Sequence, residues 1–374
     1  MRRRIGVAAA IVFVAAGLAV PAAQAKAHML VGIQDDAMTL RGNPTFTFPT
    51  LQQLRTQIVR INLNWNDVAK RRPAHPQDPA DPAYDWDLYD RAIRYSSQYG
   101  MQVLLTILFT PSWANGGGAR NVPPKNYTDL RNFAYAAATR YSGHYIANTD
   151  QFDEVYLPAV KYWLAWNEPN NPNWLQQVTG GHFSSPRAYA RICTAIWQGV
   201  HFTNFANEKV ACGGTGPRGN NAPRSSRPSM SPVAFMTLAR RAGLRSLDAY
   251  AHHPYYSKPS ETPASRPAGN AVQLGNINTL IAAVNKLWGK KRIWITEYGW
   301  QTRPPDQLFG VSFARQAAYV RQSYAIARAN PRIDLMVWFM LRDDTNLSIG
   351  WQSGFLTAAG IKKPSFSAFA RLPH

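Results

Sequence analysis

Short apolar, often β-branched runs recur along the chain, each followed by a polar loop and then by a segment whose apolar positions repeat with helical spacing. The runs are Met29–Ile33, Ile58–Leu63, Gln102–Leu108, Val160–Trp166, Lys209–Gly213, Leu247–Ala251, Arg292–Thr296 and Asp334–Met340. Near-continuous apolar runs of this length read as strands covered on both faces. Between them the spacing predicts helices over Asp87–Tyr99, Thr128–Tyr145, Pro186–Phe205, Pro232–Ala242, Asn276–Leu287 and Val311–Ala329, with Gly100 as the C-cap of the first. Eight strand–helix units of roughly 43 residues fit an α/β fold of the (β/α)8 type with enlarged βα loops. An open doubly wound sheet would place a Gly-rich turn after its first strand. The segment Val31-Gly32-Ile33-Gln34-Asp35-Asp36 has none. No linker or composition shift interrupts residues 26–374, so one (β/α)8 domain is expected there.

The first residues follow a different pattern. Met1-Arg2-Arg3-Arg4 precedes an apolar run from Ile5 to Val20, then Pro21 and the small-x-small triplet Ala23-Gln24-Ala25. This is the order of a secretory signal peptide, with cleavage expected after Ala25 and export by the general route. The run is shorter than the ~20 residues of a spanning helix, so no stable membrane insertion is expected after cleavage. In an oxidising compartment Cys193 and Cys212 either pair or remain two small buried hydrophobes. Asn126-Tyr127-Thr128 and Asn346-Leu347-Ser348 match glycosylation sequons.

Charge changes the picture less than its size suggests. The 374 residues carry 41 Lys or Arg against 21 Asp or Glu, a formal net charge of +20. The basic residues run from Arg2 to Arg371 without a dense block, unlike the single face or arm of a nucleic-acid binder. Nucleic acid is therefore not the expected partner, while an acidic glycan or cell surface would not be repelled. The aromatic fraction of 12% asks for its own explanation.

Chemistry in this fold comes from the C-terminal ends of strands. The fourth run ends Trp166-Asn167-Glu168-Pro169-Asn170, and the seventh ends Thr296-Glu297-Tyr298-Gly299-Trp300. The chain has only five Glu, so two of them directly after apolar runs are conspicuous; an ionised group there is costly unless used. Strands four and seven face one another across a barrel mouth. Two facing carboxylates are what glycoside hydrolysis requires, one protonating the leaving oxygen and one attacking or stabilising the anomeric centre.

These residues carry a resemblance. Asn167-Glu168-Pro169 after strand four and Thr296-Glu297 after strand seven resemble clan A of the glycoside hydrolases, on the side of families 39 and 5, along nearly the whole mature chain. Arg60 at the end of strand two, His253 and Tyr255 after strand six and Trp338 on strand eight resemble further positions of that clan. The resemblance implies a retaining enzyme with Glu297 as nucleophile and Glu168 as general acid/base. It implies Arg60 and Tyr255 beside Glu297, and Trp338 beneath the bound sugar. Asn167 is placed to meet the sugar 2-hydroxyl; otherwise it caps the following turn. Arg60 could equally form a barrel-core ion pair, and His253 could only orient its neighbours. No metal-ligand motif accompanies the adjacent histidines, so neither metal nor cofactor is expected.

The expected substrate is an oligo- or polysaccharide or a glycoside, with O-glycosidic, β-linked bonds. Trp65, Trp113, Trp166, Trp300 and Trp338, at or just beyond strand ends, are candidate stacking platforms; Trp163 and Trp294, inside strands, are expected in the core. Trp174 and Trp351 sit on longer loops as weaker subsite candidates. Asp35, Asp36, Asp343 and Asp344 either bind sugar hydroxyls or are solvated loop acids. Arg218, Arg224 and Arg227 lie on the loop Gly213–Pro232, expected on the catalytic face, where they either meet an acidic sugar or belong to a solvated loop. A non-catalytic carbohydrate-binding barrel and a transglycosylase at the cell surface are the alternative readings.

Overall fold

A computed structural model describes residues 29–150, 153–205, 207–346 and 350–373. The signal-peptide segment and Leu347-Ser348 of the second sequon lie outside the described residues. Eight parallel strands close into a barrel: β1 (Leu30–Gln34), β2 (Ile58–Asn64), β3 (Gln102–Leu108), β4 (Tyr162–Ala165), β5 (Lys209–Thr215), β6 (Ala249–His252), β7 (Arg292–Tyr298) and β8 (Ile333–Phe339). Each pairs with its sequence neighbours, and β1 pairs with β8 to close the ring. All eight predicted strands are present.

One long helix follows each strand: α1 (Pro44–Gln53), α2 (Asp87–Gln98), α3 (Tyr127–Arg140), α4 (Ser185–His201), α5 (Pro232–Arg241), α6 (Asn278–Trp288), α7 (Phe313–Ala329) and α8 (Pro364–Ala370). Local chemistry starts several of them. The Asn43 and Asn126 side chains accept from the backbone N–H two residues on, and Ser312 accepts from Arg315 N–H. The helix expected to run on to Tyr145 stops at Arg140. Gly143 then adopts φ +85°, and Ile146–Asp150 pairs antiparallel with Asp153–Tyr156.

Strand parity divides the core. Ile58, Leu104, Leu164, Ala211, Ala249, Ala251, Trp294, Leu335 and Val337 fill the barrel interior. The residues between them, such as Val59, Leu105, Trp163, Met336 and Trp338, pack outward under the helices. Toward the C-terminal ends the inward positions change from apolar to polar, giving Gln34, Arg60, Asn62, Thr106, His253 and Thr296, all buried. That change of chemistry within one parity is what makes the barrel mouth polar. Cys193 on α4 and Cys212 on β5 are joined as a disulfide, which settles their open pairing. Among the described residues no helix is long and apolar enough to cross a membrane.

Candidate active site

Glu168 and Glu297 stand at the barrel mouth, on the wall of a cavity of about 550 Å³. One carboxylate oxygen of each and a ring nitrogen of His253 lie within 4.8 Å of one another. Two strand ends from opposite sides of the barrel thus converge, as their spacing predicted.

Arg60 is fully buried and connects the two acids. Its Nη1 donates to Glu297 Oε2 and to the Thr296 carbonyl, both at 2.9 Å. Nη2 donates to Asn167 Oδ1 at 2.6 Å, and Nε donates to Thr106 Oγ1 at 2.9 Å. The guanidinium therefore pairs with Glu297 while fixing the amide beside Glu168. It is both a buried ion pair and part of the site, so the two readings of Arg60 merge. Tyr255 donates its hydroxyl to Glu297 Oε1 at 2.9 Å, giving each oxygen of Glu297 one donor.

His253 sits between the acids. Burial, with the charge of Arg60 acting in the same direction, drops its pKa to about 3 against the pull of Glu297, so the ring is neutral. Nδ1 faces Glu168 Oε1 at 3.2 Å and Glu297 Oε2 at 3.8 Å, whereas Nε2 faces the Thr296 hydroxyl at 3.0 Å. The network assigns the hydrogen to Nδ1, which donates to Glu168, and leaves Nε2 to accept from Thr296. His253 is a positioning residue. A divalent cation held by Glu168, His253 and Glu297 would need this nitrogen deprotonated and would sit beside the buried Arg60 charge, so the donor set does not suit one.

Glu168 is held by backbone as well as side chain. Trp166 and Glu168 adopt φ of +68° and +34°, conformations unfavourable for residues with a Cβ and characteristic of constrained sites. The Glu168 N–H donates to the Gly214 carbonyl at 2.9 Å, which secures the turn. Asn171 Nδ2 donates to Oε2 at 2.8 Å. Gly216 backs the carboxyl: a Cβ there would lie 3.2 Å from Glu168 Cδ and Oε1. Burial pushes the Glu168 pKa up, opposed by the Asn171 hydrogen bond and the charges of Arg60 and Arg218.

The acids at the ends of β1 and β8 have separate tasks. Asp35 accepts from the N–H groups of Met38 and Arg342, tying the first strand to the loop after the last, and burial lifts its pKa to about 7. Asp36 accepts from Asn62 N–H, and burial lifts its pKa to about 6. Both also line the cavity, as does Asp344. Asp343 instead forms a buried ion pair with Lys363 at 2.7 Å.

Most of the expected aromatic platforms are corrected. Trp65, Trp166, Trp300 and Trp338 are fully buried and present no face to a ligand. Trp338 points outward under the helices because the β8 residues facing the interior are Leu335, Val337 and Phe339. Phe339, one residue on, lines the cavity in its stead. Trp65 stacks on Phe133, and Trp300 lies between Tyr256 and Tyr319. Trp113 packs edge-on against Trp65, donates Nε1 to the Ala69 carbonyl and does not reach the cavity. The weaker loop candidates Trp174 and Trp351 do line it. Asn171, Gly216, Phe309 and Phe339 were not singled out from sequence; helical-turn spacing from Glu168 could have found Asn171.

No family model and no curated protein sequence matches the chain. Solved structures do. A family 39 glycoside hydrolase from Bacteroides cellulosilyticus WH2 superposes with a TM-score of 0.64 at 19% identity, over 91% of this chain and 62% of its own. This chain therefore spans under two thirds of that protein. A monomeric β-xylosidase from Caulobacter crescentus CB15 gives 0.62 at 14% identity, over 92% and 67% of the two chains. GH5_18 from Streptomyces cattleya, solved in complex with GlcNAc, gives 0.62 at 12% identity, over 92% and 80%. The chain shares its (β/α)8 fold with these family 39 and GH5 glycoside hydrolase structures.

Proposed function

We propose that this protein is a secreted glycosidase that hydrolyses O-glycosidic, β-linked bonds with retention of anomeric configuration. The observation that carries the reading is the convergence of two differently dressed carboxyls, with oxygens within 4.8 Å of each other. Retention uses carboxyls ~5–5.5 Å apart, whereas inversion needs ~6.5–9.5 Å to admit water between acid and sugar. Solved relatives of the fold include a β-xylosidase and a glucosidase, which supports a β-linked glycone. The signal-peptide pattern over residues 1–25 supports secretion.

Glu297, flanked by Arg60 and Tyr255, attacks the anomeric carbon. Glu168, whose pKa burial raises, delivers its proton to the departing oxygen. The glycosidic bond breaks as the Glu297–sugar ester forms. In the second step Glu168, now a carboxylate, takes a proton from water. That water attacks the anomeric carbon and releases Glu297. Asn167, oriented by Arg60, contacts the 2-hydroxyl as charge develops on the ring. Hydrolysis of activated aryl glycosides, assayed over a panel of glycones, tests the reading. E168Q should lose roughly 10²–10⁴-fold in kcat on poor leaving groups, and E297Q should lose essentially all turnover. A mature protein that binds glycans yet turns over no glycoside would instead be a carbohydrate-binding barrel.

A further inference from the structure

The charges on the cavity wall are segregated. Asp35, Asp36 and Asp344, from the β1 and β8 loops, line one side. On the other side, where Glu168 delivers its proton, the lining cation is Arg218 on the loop after β5. Its charge reaches the acid: it is one of the groups that lower the Glu168 pKa. Arg218 is also tethered. Nη1 donates to Ser257 Oγ at 2.9 Å and to the Tyr256 carbonyl at 3.4 Å. Ser257 Oγ in turn accepts from buried Gln273 at 2.9 Å, and Val272 N–H donates to the Pro217 carbonyl at 2.8 Å. These direct partners are neutral, although Ser257 N–H and Gln273 Nε2 also donate to the Glu261 carboxylate at 2.7 and 2.9 Å. Among the described residues no carboxylate forms an ion pair with Arg218. The arginine is thus held at the wall without an ion-pair partner, and among the described residues its remaining N–H donors meet no protein acceptor.

From this we infer that Arg218 selects an anionic group on the leaving-group side, so that the substrate joins a neutral glycone to a carboxylated or similarly anionic aglycone. The inference rests on the glycosidase reading and deepens it. The side of a bound glycoside attached to the leaving oxygen lies toward Glu168 and hence toward Arg218, and a guanidinium takes a carboxylate in a bidentate pair. An anionic glycone, by contrast, would meet Asp36 and Asp344. Trp174, held by stacking on Phe109 with ring centroids 5.6 Å apart, adds a flat surface on the same wall. Arg218 is exposed to solvent, so the expected selectivity is about tenfold rather than a hundredfold.

The test compares 3-carboxyphenyl and 3-carbamoylphenyl glycosides of whichever glycone the panel identifies. Their leaving groups are similar in size and electronic demand, but only one carries charge. Wild type should prefer the carboxylate by about tenfold in kcat/KM at low salt, and the preference should shrink in 0.5 M NaCl. R218M should bring the ratio to about one, while R218K should keep part of it. A wild-type ratio near one, or a ratio that R218M leaves intact, overturns the inference while leaving the glycosidase reading standing. Faster turnover of a 4-nitrophenyl uronide than of the neutral parent glycoside would place the anion on the glycone and overturn it as well. Absence of turnover on every glycoside would refute both together.

Discussion

At the residue scale, the two glutamates differ in their donors. Glu297 takes Arg60 and Tyr255, whereas Glu168 takes a neutral imidazole and an amide and stands against Gly216. This is how one pair of identical side chains acquires two roles. Asn171 is the adjustable member. Its amide donates to the ionised carboxylate and so favours that form; removing it should raise the Glu168 pKa further. N171A should therefore move the alkaline limb of the kcat/KM profile to higher pH. An unmoved limb with a lower kcat would mean that Asn171 only positions the acid. His253 and Asn167 were visible in the sequence as types at strand ends. Their partners were not, because the hydrogen bonds that define them span up to 193 residues of chain.

At the element scale, β8 shows what periodicity can and cannot deliver. The run Asp334–Met340 was legible as a strand, but parity was not, since inner and outer faces of a barrel strand are both apolar. One residue of register exchanges Trp338 for Phe339 at the cavity. Trp65 and Trp300 follow strand ends yet turn into the core, while the loop tryptophans Trp174 and Trp351, with no periodic signal, reach the cavity. The Cys193–Cys212 bond is a second feature of this scale. Spacing left pairing open, and the docking of α4 on β5 decides it. A bond closing a loop of this length is worth about 3 kcal/mol in the chain-entropy account. The C193S/C212S double variant should lose about that much in denaturant midpoint analysis with its aryl-glycosidase kcat retained, because neither sulfur approaches the cavity. A simultaneous collapse of kcat in folded protein would contradict the separation of stability from site.

At the scale of the whole molecule, the barrel closes through acids that also line its mouth. Asp35 joins β1 to the loop after β8, and its pKa in the folded chain is pushed up to about 7. A carboxyl with a raised folded pKa contributes stability that is fully present below its unfolded pKa, near 4. That contribution is lost as pH rises through about 7. Relative to D35N, the wild type should therefore lose stability as pH goes from 5 to 8, by an amount on the order of a few kcal/mol. Parallel Tm curves for the two proteins would show that Asp35 titrates normally. The fold itself was readable at this scale because eight strand–helix units leave a periodic record. The division of the mouth into an acid-lined side and an arginine side was not, because it depends on which loops meet. Nor did the net charge of +20 foretell a cavity whose charged lining residues are mostly acids.

As nucleophile, Glu297 should become covalently bonded to the sugar. Proton NMR of the anomer first released from an aryl β-glycoside, recorded before mutarotation, tests it most directly. The β-anomer should appear first. First release of the α-anomer would mean a single displacement by water and would contradict Glu297 as nucleophile.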